Sequence, residues 1–151
     1  MSASSRSERG AGWVWAQFAL MAVIVALGAV PPRWPGWVQL LGVALMLAGA
    51  AFAVVAGRTL GSSLTPYPRP RPEGELVQDG PFRLVRHPIY AGGLGFFIGY
   101  GLLTSVAATV GALALGVLWW FKAGLEERFL AERFPAYAEY RRRVRRRLFL
   151  F

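Results

Sequence analysis

His87, the one histidine of the chain, stands in Arg86-His87-Pro88-Ile89-Tyr90, and after a long apolar run Lys122 is followed by the adjacent acids Glu126 and Glu127. An imidazole and a phenol one helical turn apart, with carboxylates and an ammonium, are groups from which proton transfer, cation binding and polar ligand recognition are built. All of them sit where a hydrophobic stretch begins or ends. Ionisable groups are costly at such a boundary, so their clustering marks a candidate site. Pro88 suits a first helical turn, and the free amides of that helix end attract anionic groups. A purely structural reading also stands, with Pro88 as helix start, His87 as an interfacial residue and Tyr90 as an aromatic-belt anchor. Lys122 and Glu126 share a helical face, but an exposed pair in that order is worth only about 0.3–0.5 kcal/mol. That gain does not account for two adjacent carboxylates at this depth. A carboxylate accepts both hydroxyls of a ribose, or an ammonium, which makes Glu126 a candidate nucleotide-type ligand.

Composition limits the alternatives. The 151 residues are 55% hydrophobic, with 17 basic residues against eight acids, and allow one domain with an apolar body and a basic rim. Cysteine is absent, which excludes disulfides and thiolate chemistry, and with one histidine no metal site is expected. No phosphate-binding P-loop or strand-based dinucleotide fingerprint occurs.

The elements that must position these groups are expected to be helices in a membrane. Residues 13–30 are apolar except for Gln17, and 18 residues of helix reach roughly 27 Å, close to a bilayer's hydrocarbon core. Arg6 and Arg9 precede this run, which is longer than a usual signal core and lacks a small-residue cleavage site, so it is expected to be retained. Pro31-Pro32-Arg33-Trp34-Pro35-Gly36 breaks the chain, residues 37–57 form a second span, and the two are expected to make an antiparallel hairpin. Residues 58–88, rich in arginine and proline, read as a water-exposed loop whose length points to function. The apolar stretch that follows reads as two helices, 89–103 and 106–133, turning at Leu103-Thr104-Ser105, with one steeply tilted helix as the competing arrangement. Gly95 and Gly99 form a small-residue packing pattern, and Gly92 and Gly93, nearest the histidine, would also let a flat ligand approach the backbone. In residues 135–151, Tyr137, Tyr140, Val144 and Leu148 recur at helical spacing among arginines, the pattern of a basic amphipathic helix on an anionic leaflet. Four spans put the N-terminus, central loop and C-terminus on one side with 16 of the 17 basic residues, which makes that side cytoplasmic and the chain a multi-pass inner-membrane protein. The arginine run lacks interleaved aromatic stacking positions, so no nucleic acid partner is expected.

LVQDGPFRLVRHPIYAG at 76–92 and EERFLAERFPAYAEY at 126–140 resemble the isoprenylcysteine carboxyl methyltransferase family and its phospholipid methyltransferase relatives, in order and in spacing. The resemblance implies an all-α integral membrane enzyme that uses S-adenosylmethionine and releases S-adenosylhomocysteine. It also implies cofactor contacts from Leu76, Val77, Phe82, His87, Pro88, Ile89, Tyr90 and Glu126. Phe82 replaces the family's usual tyrosine, and Lys122 stands where the family often has an arginine near the substrate carboxylate, keeping charge without bidentate geometry. The expected reaction is methyl transfer to a lipophilic small-molecule or lipidated acceptor entering from the bilayer, with Lys122 or Arg86 orienting an acidic acceptor. An amine acceptor would need a base, for which His87 and Glu127 are the candidates. The competing function is a non-enzymatic scaffold or small pore whose arginine tail recruits lipid.

Overall fold

The computed structural model describes residues 10–149, so Arg6, Arg9 and the last two positions of the expected tail lie outside the described residues. Helix α1 spans Ala11–Leu27, α2 Gly36–Leu60, α3 Pro88–Thr104, α4 Val106–Arg133 and α5 Tyr137–Arg143, with 3-10 turns at Gly61–Ser63 and Gly80–Arg83. Among the described residues no strand forms. Counting its 3-10 extension, α2 has 28 residues, as does α4; an 18-residue stretch within each has mean hydropathy 2.3 and 1.6, and both helices are long and apolar enough to cross a membrane. Helices α1 and α3 are apolar but have 17 residues each, or about 26 Å of helix. Trp15, Trp37, Leu40 and Leu47 of α1 and α2 are 62–74% exposed, an outer surface suited to lipid rather than water.

The long apolar stretch divides into two helices at Ser105, whose backbone is extended. Its hydroxyl oxygen accepts the Ala108 amide at 3.0 Å as the N-cap of α4, and the same hydroxyl donates to the Leu27 carbonyl at 2.7 Å. One buried side chain therefore ends α3, starts α4 and ties both to the end of α1. The single tilted helix is thereby ruled out.

Helix α2 packs mainly on α3, α3 on α4, and α1 on α4. The first two helices thus lean on the last two rather than on each other, unlike the expected hairpin. The α2–α3 seam is built from glycines seven residues apart on each helix. A Cβ on Gly49 would lie 2.5 Å from the Gly92 carbonyl oxygen, and one on Gly42 would lie 2.7 Å from the Gly99 oxygen. Gly95 is looser, since a Cβ there would make ordinary contacts from 3.4 Å, so the seam pairs Gly92 and Gly99 rather than Gly95 and Gly99. Gly92 is consumed by this packing, while Gly93 faces the Trp119 ring.

The tail is not one amphipathic helix. Helix α5 ends at Arg143, and Val144 begins an extended segment. Tyr137, Tyr140, Val144 and Leu148 are buried in the protein's own cores instead of facing lipid, while Arg141, Arg142, Arg143, Arg145 and Arg146 point outward. The reason lies in the backbone: the carbonyls of residues 144–147 accept hydrogen bonds from Arg86 and His87, and a continued helix would have consumed part of that accepting capacity internally.

Candidate functional site

Gly80, at φ 55°, permits the turn that starts the second 3-10 element, which leads into Val85, Arg86 and the N-cap of α3 at His87. Pro88 occupies the first turn, and the next turn of α3 brings Tyr90 alongside His87, with ring centroids 5.8 Å apart and planes within 8° of parallel. Trp119 of α4 extends the stack, at 5.3 Å from Tyr90.

Across from this stack stand the two acids of α4. Glu126 accepts a hydrogen bond from the Tyr90 hydroxyl, and its Oε2 lies 3.4 Å from His87 Nδ1. Glu127 Oε1 lies 3.3 Å from His87 Nε2 and 2.9 Å from Arg86 Nε, while Arg147 donates to both oxygens at 3.0 and 2.9 Å. Both ring nitrogens therefore face carboxylates, an arrangement that suits the doubly protonated imidazolium. Burial disfavours that charged form, but the hydrogen bonds and charges of Glu126 and Glu127 outweigh it and hold His87 above the ordinary imidazole value.

A cavity of about 500 Å³ opens on one side of this constellation. Phe82, Arg86, His87, Pro88, Ile89, Tyr90, Lys122 and Glu126 line it, together with Gln17, Trp119 and the proline-rich segment 63–75. Eight sequence-predicted residues are thus brought together. Leu76 and Val77 are not on its wall: they pack against the Phe82, Tyr137 and Tyr140 cluster and border a separate outer groove. Glu127 is not on the wall either. It is 4% exposed and clamped by two arginines, so neighbouring acids hold different posts, Glu126 at the cavity and Glu127 behind His87.

Lys122 is fully buried. Its ammonium donates to Gln17 Oε1 at 2.7 Å and to the Pro66 carbonyl at 2.8 Å, and lies 5.2 Å from the centre of the Tyr90 ring. Gln17 Oε1 also accepts from Trp119 Nε1 at 3.1 Å. Motif spacing passes over Gln17, Trp119 and Arg147, although the single polar residue of an apolar run was a legible signal for the first. Replacing Gln17 with leucine is expected to cost about 2 kcal/mol, because it removes a buried acceptor shared by an ammonium and an indole. Thermal unfolding in detergent checks this, and an unchanged midpoint would refute the shared role.

The aromatic faces fit a planar base or a cation, Glu126 fits ribose hydroxyls or an ammonium, and the volume falls within the roughly 300–1,000 Å³ of small-molecule sites. These features suit a nucleoside that carries a positive charge. The model of the phospholipid methyltransferase family matches residues 37–137, which contain both motifs' central residues. The chain is 40% identical to the cobalt-zinc-cadmium resistance protein CzcN of Cupriavidus metallidurans over 115 residues, 74% of this chain and 51% of that protein. It is 29% identical to protein-S-isoprenylcysteine O-methyltransferase B of Arabidopsis thaliana over 117 residues, 76% of this chain and 54% of that one. The chain therefore spans about half the length of these curated relatives. In three dimensions it is similar to a eukaryotic intramembrane Ras methyltransferase, the isoprenylcysteine carboxyl methyltransferase ICMT, with a TM-score of 0.68 at 22% identity, covering 98% of this chain and 53% of that structure.

Proposed function

The chain belongs to the phospholipid methyltransferase family, and on that premise we propose that it is an integral membrane enzyme that uses S-adenosylmethionine to methylate a lipophilic acceptor, an isoprenylcysteine-like carboxylate or a related lipid. The observation that carries this reading is the convergence of His87, Tyr90 and Glu126 on one cavity wall. When bound, S-adenosylmethionine supplies a methyl group on a positively charged sulfur. Glu126 would hold the ribose hydroxyls or the amino group, and the parts of the Tyr90 and Trp119 rings that border the cavity would receive the adenine or the sulfonium. Lys122 would face an acidic acceptor.

An anionic oxygen needs no base, so the engagement of His87 and Glu127 with their neighbours does not hinder the reaction. Bound partners would displace water from the largely apolar lining, which would strengthen the electrostatic orientation of both, and positioning would supply much of the rate. In the membrane, the four apolar helices would cross with the site and the outward arginines on the cytoplasmic side of the inner membrane, against an anionic leaflet. Incubating membranes that contain the protein with methyl-labelled S-adenosylmethionine is expected to place label in a lipid or lipid-linked product. Absence of label from every such fraction, with folded protein present, would count against the enzyme.

A further inference from the structure

Residues 144–148 lie outside the stretch that the family model matches, yet they hold Arg86, His87 and Glu127 of the site. Arg86 donates through Nη1 to the Val144 and Arg145 carbonyls at 2.8 and 2.6 Å, and its amide donates to the Arg146 carbonyl at 2.9 Å. The His87 amide donates to the Arg147 carbonyl at 3.1 Å. Val144 and Leu148 anchor the segment on either side, at 5% and 7% exposure. Between them the Arg147 guanidinium lies 4.5 Å from the centre of the Trp120 ring and grips both oxygens of Glu127.

We propose that this C-terminal segment is a strap that orients His87, with Arg147 as its positioning residue. The groups around the imidazole are Glu126 and Glu127 from α4, Tyr90 from α3 and, on Glu127, Arg86 from the same turn and Arg147, with the Lys122 ammonium 5.2 Å from the centre of the Tyr90 ring. Arg147 and Arg86 together draw the charge of Glu127 away from the ring. With part of that charge taken up by the two guanidiniums, His87 is shared between Glu127 and Glu126 and stays directed at the cavity. The strap rests on the methyltransferase reading only in taking the Glu126 side as the ligand side.

Because the chain has one histidine, histidine-selective labelling of tag-free protein in detergent gives a single imidazole resonance that follows His87 through a pH titration. Its midpoint is expected above the ordinary 6.5. Arg147→Gln is expected to raise the midpoint by roughly 1 pH unit, since a cation is removed from the acid beside the ring. Arg147→Lys, which retains the charge, stays within a few tenths of a unit of wild type. An unchanged or lowered midpoint in folded Arg147→Gln would overturn the proposal. In the wild type, the Arg86 and His87 amides should be among the slowly exchanging ones, and rapid exchange of both would overturn it without any variant. S-adenosylhomocysteine binding is read separately. A titration that responds to Arg147 in a protein that does not bind this ligand leaves the strap and removes the cofactor reading; binding with no response removes the strap alone.

Discussion

Glu126→Ala is expected to weaken S-adenosylhomocysteine binding about a hundredfold, the roughly 3 kcal/mol of a charge-assisted hydrogen-bonding partner in a dry site, while the helices remain folded. The variant should be tolerated because Glu126 is the less buried of the two acids and serves the cavity, whereas Glu127 holds two arginines in place. His87→Ala is expected to act in the same direction, since it removes the ring that shares Glu126 with Tyr90. Calorimetry of the purified protein in detergent gives the answer. Affinity unchanged in both variants would remove the cofactor assignment from this wall of the cavity.

Gly49→Ala is expected to lower stability by about 3 kcal/mol, and Gly95→Ala to leave it within 0.5 kcal/mol. The two substitutions add the same methyl group to the same helix seam. At Gly49 it would meet backbone atoms of α3, which cannot rotate away, whereas at Gly95 it meets Gly49 Cα at 3.4 Å and the flexible Leu45 side chain at 3.7 Å. Thermal unfolding of both variants in one detergent separates them. Equal midpoints would mean that α2 and α3 do not approach as closely as described.

The four long helices were legible because each is built on a long apolar run, most of whose ends are marked by proline, glycine or charge; α4 begins and ends at the expected residues 106 and 133. The His-Pro-x-Tyr turn and the first glutamate were legible because motif spacing on helices fixes which side chains can meet. What escaped depended on contacts between distant segments. Glycine spacing along α3 said that close packing would occur, but the choice of Gly92 over Gly95 depends on the rotation of α2, which local periodicity does not specify. The tail misled for a related reason: Tyr137, Tyr140, Val144 and Leu148 do share an apolar side, but the protein supplies the surface that covers them and the donors that straighten the chain beyond Arg143. Gln17 stood out as polar within an apolar run, but only the fold places it between Trp119 and Lys122.

Two of the groups that brace the site, Gln17 in α1 and Arg147 near the chain's end, lie on either side of the family-matched residues 37–137. The recognisable portion of the chain is consequently not its self-sufficient portion. Excised alone, it would keep His87, Tyr90 and Glu126 but leave the Lys122 ammonium without its Gln17 acceptor, with the Pro66 carbonyl remaining, and Glu127 stripped of one of its two cations. Sequence drift at the two extremities can therefore retune what the pocket accepts while every signature residue stays the same.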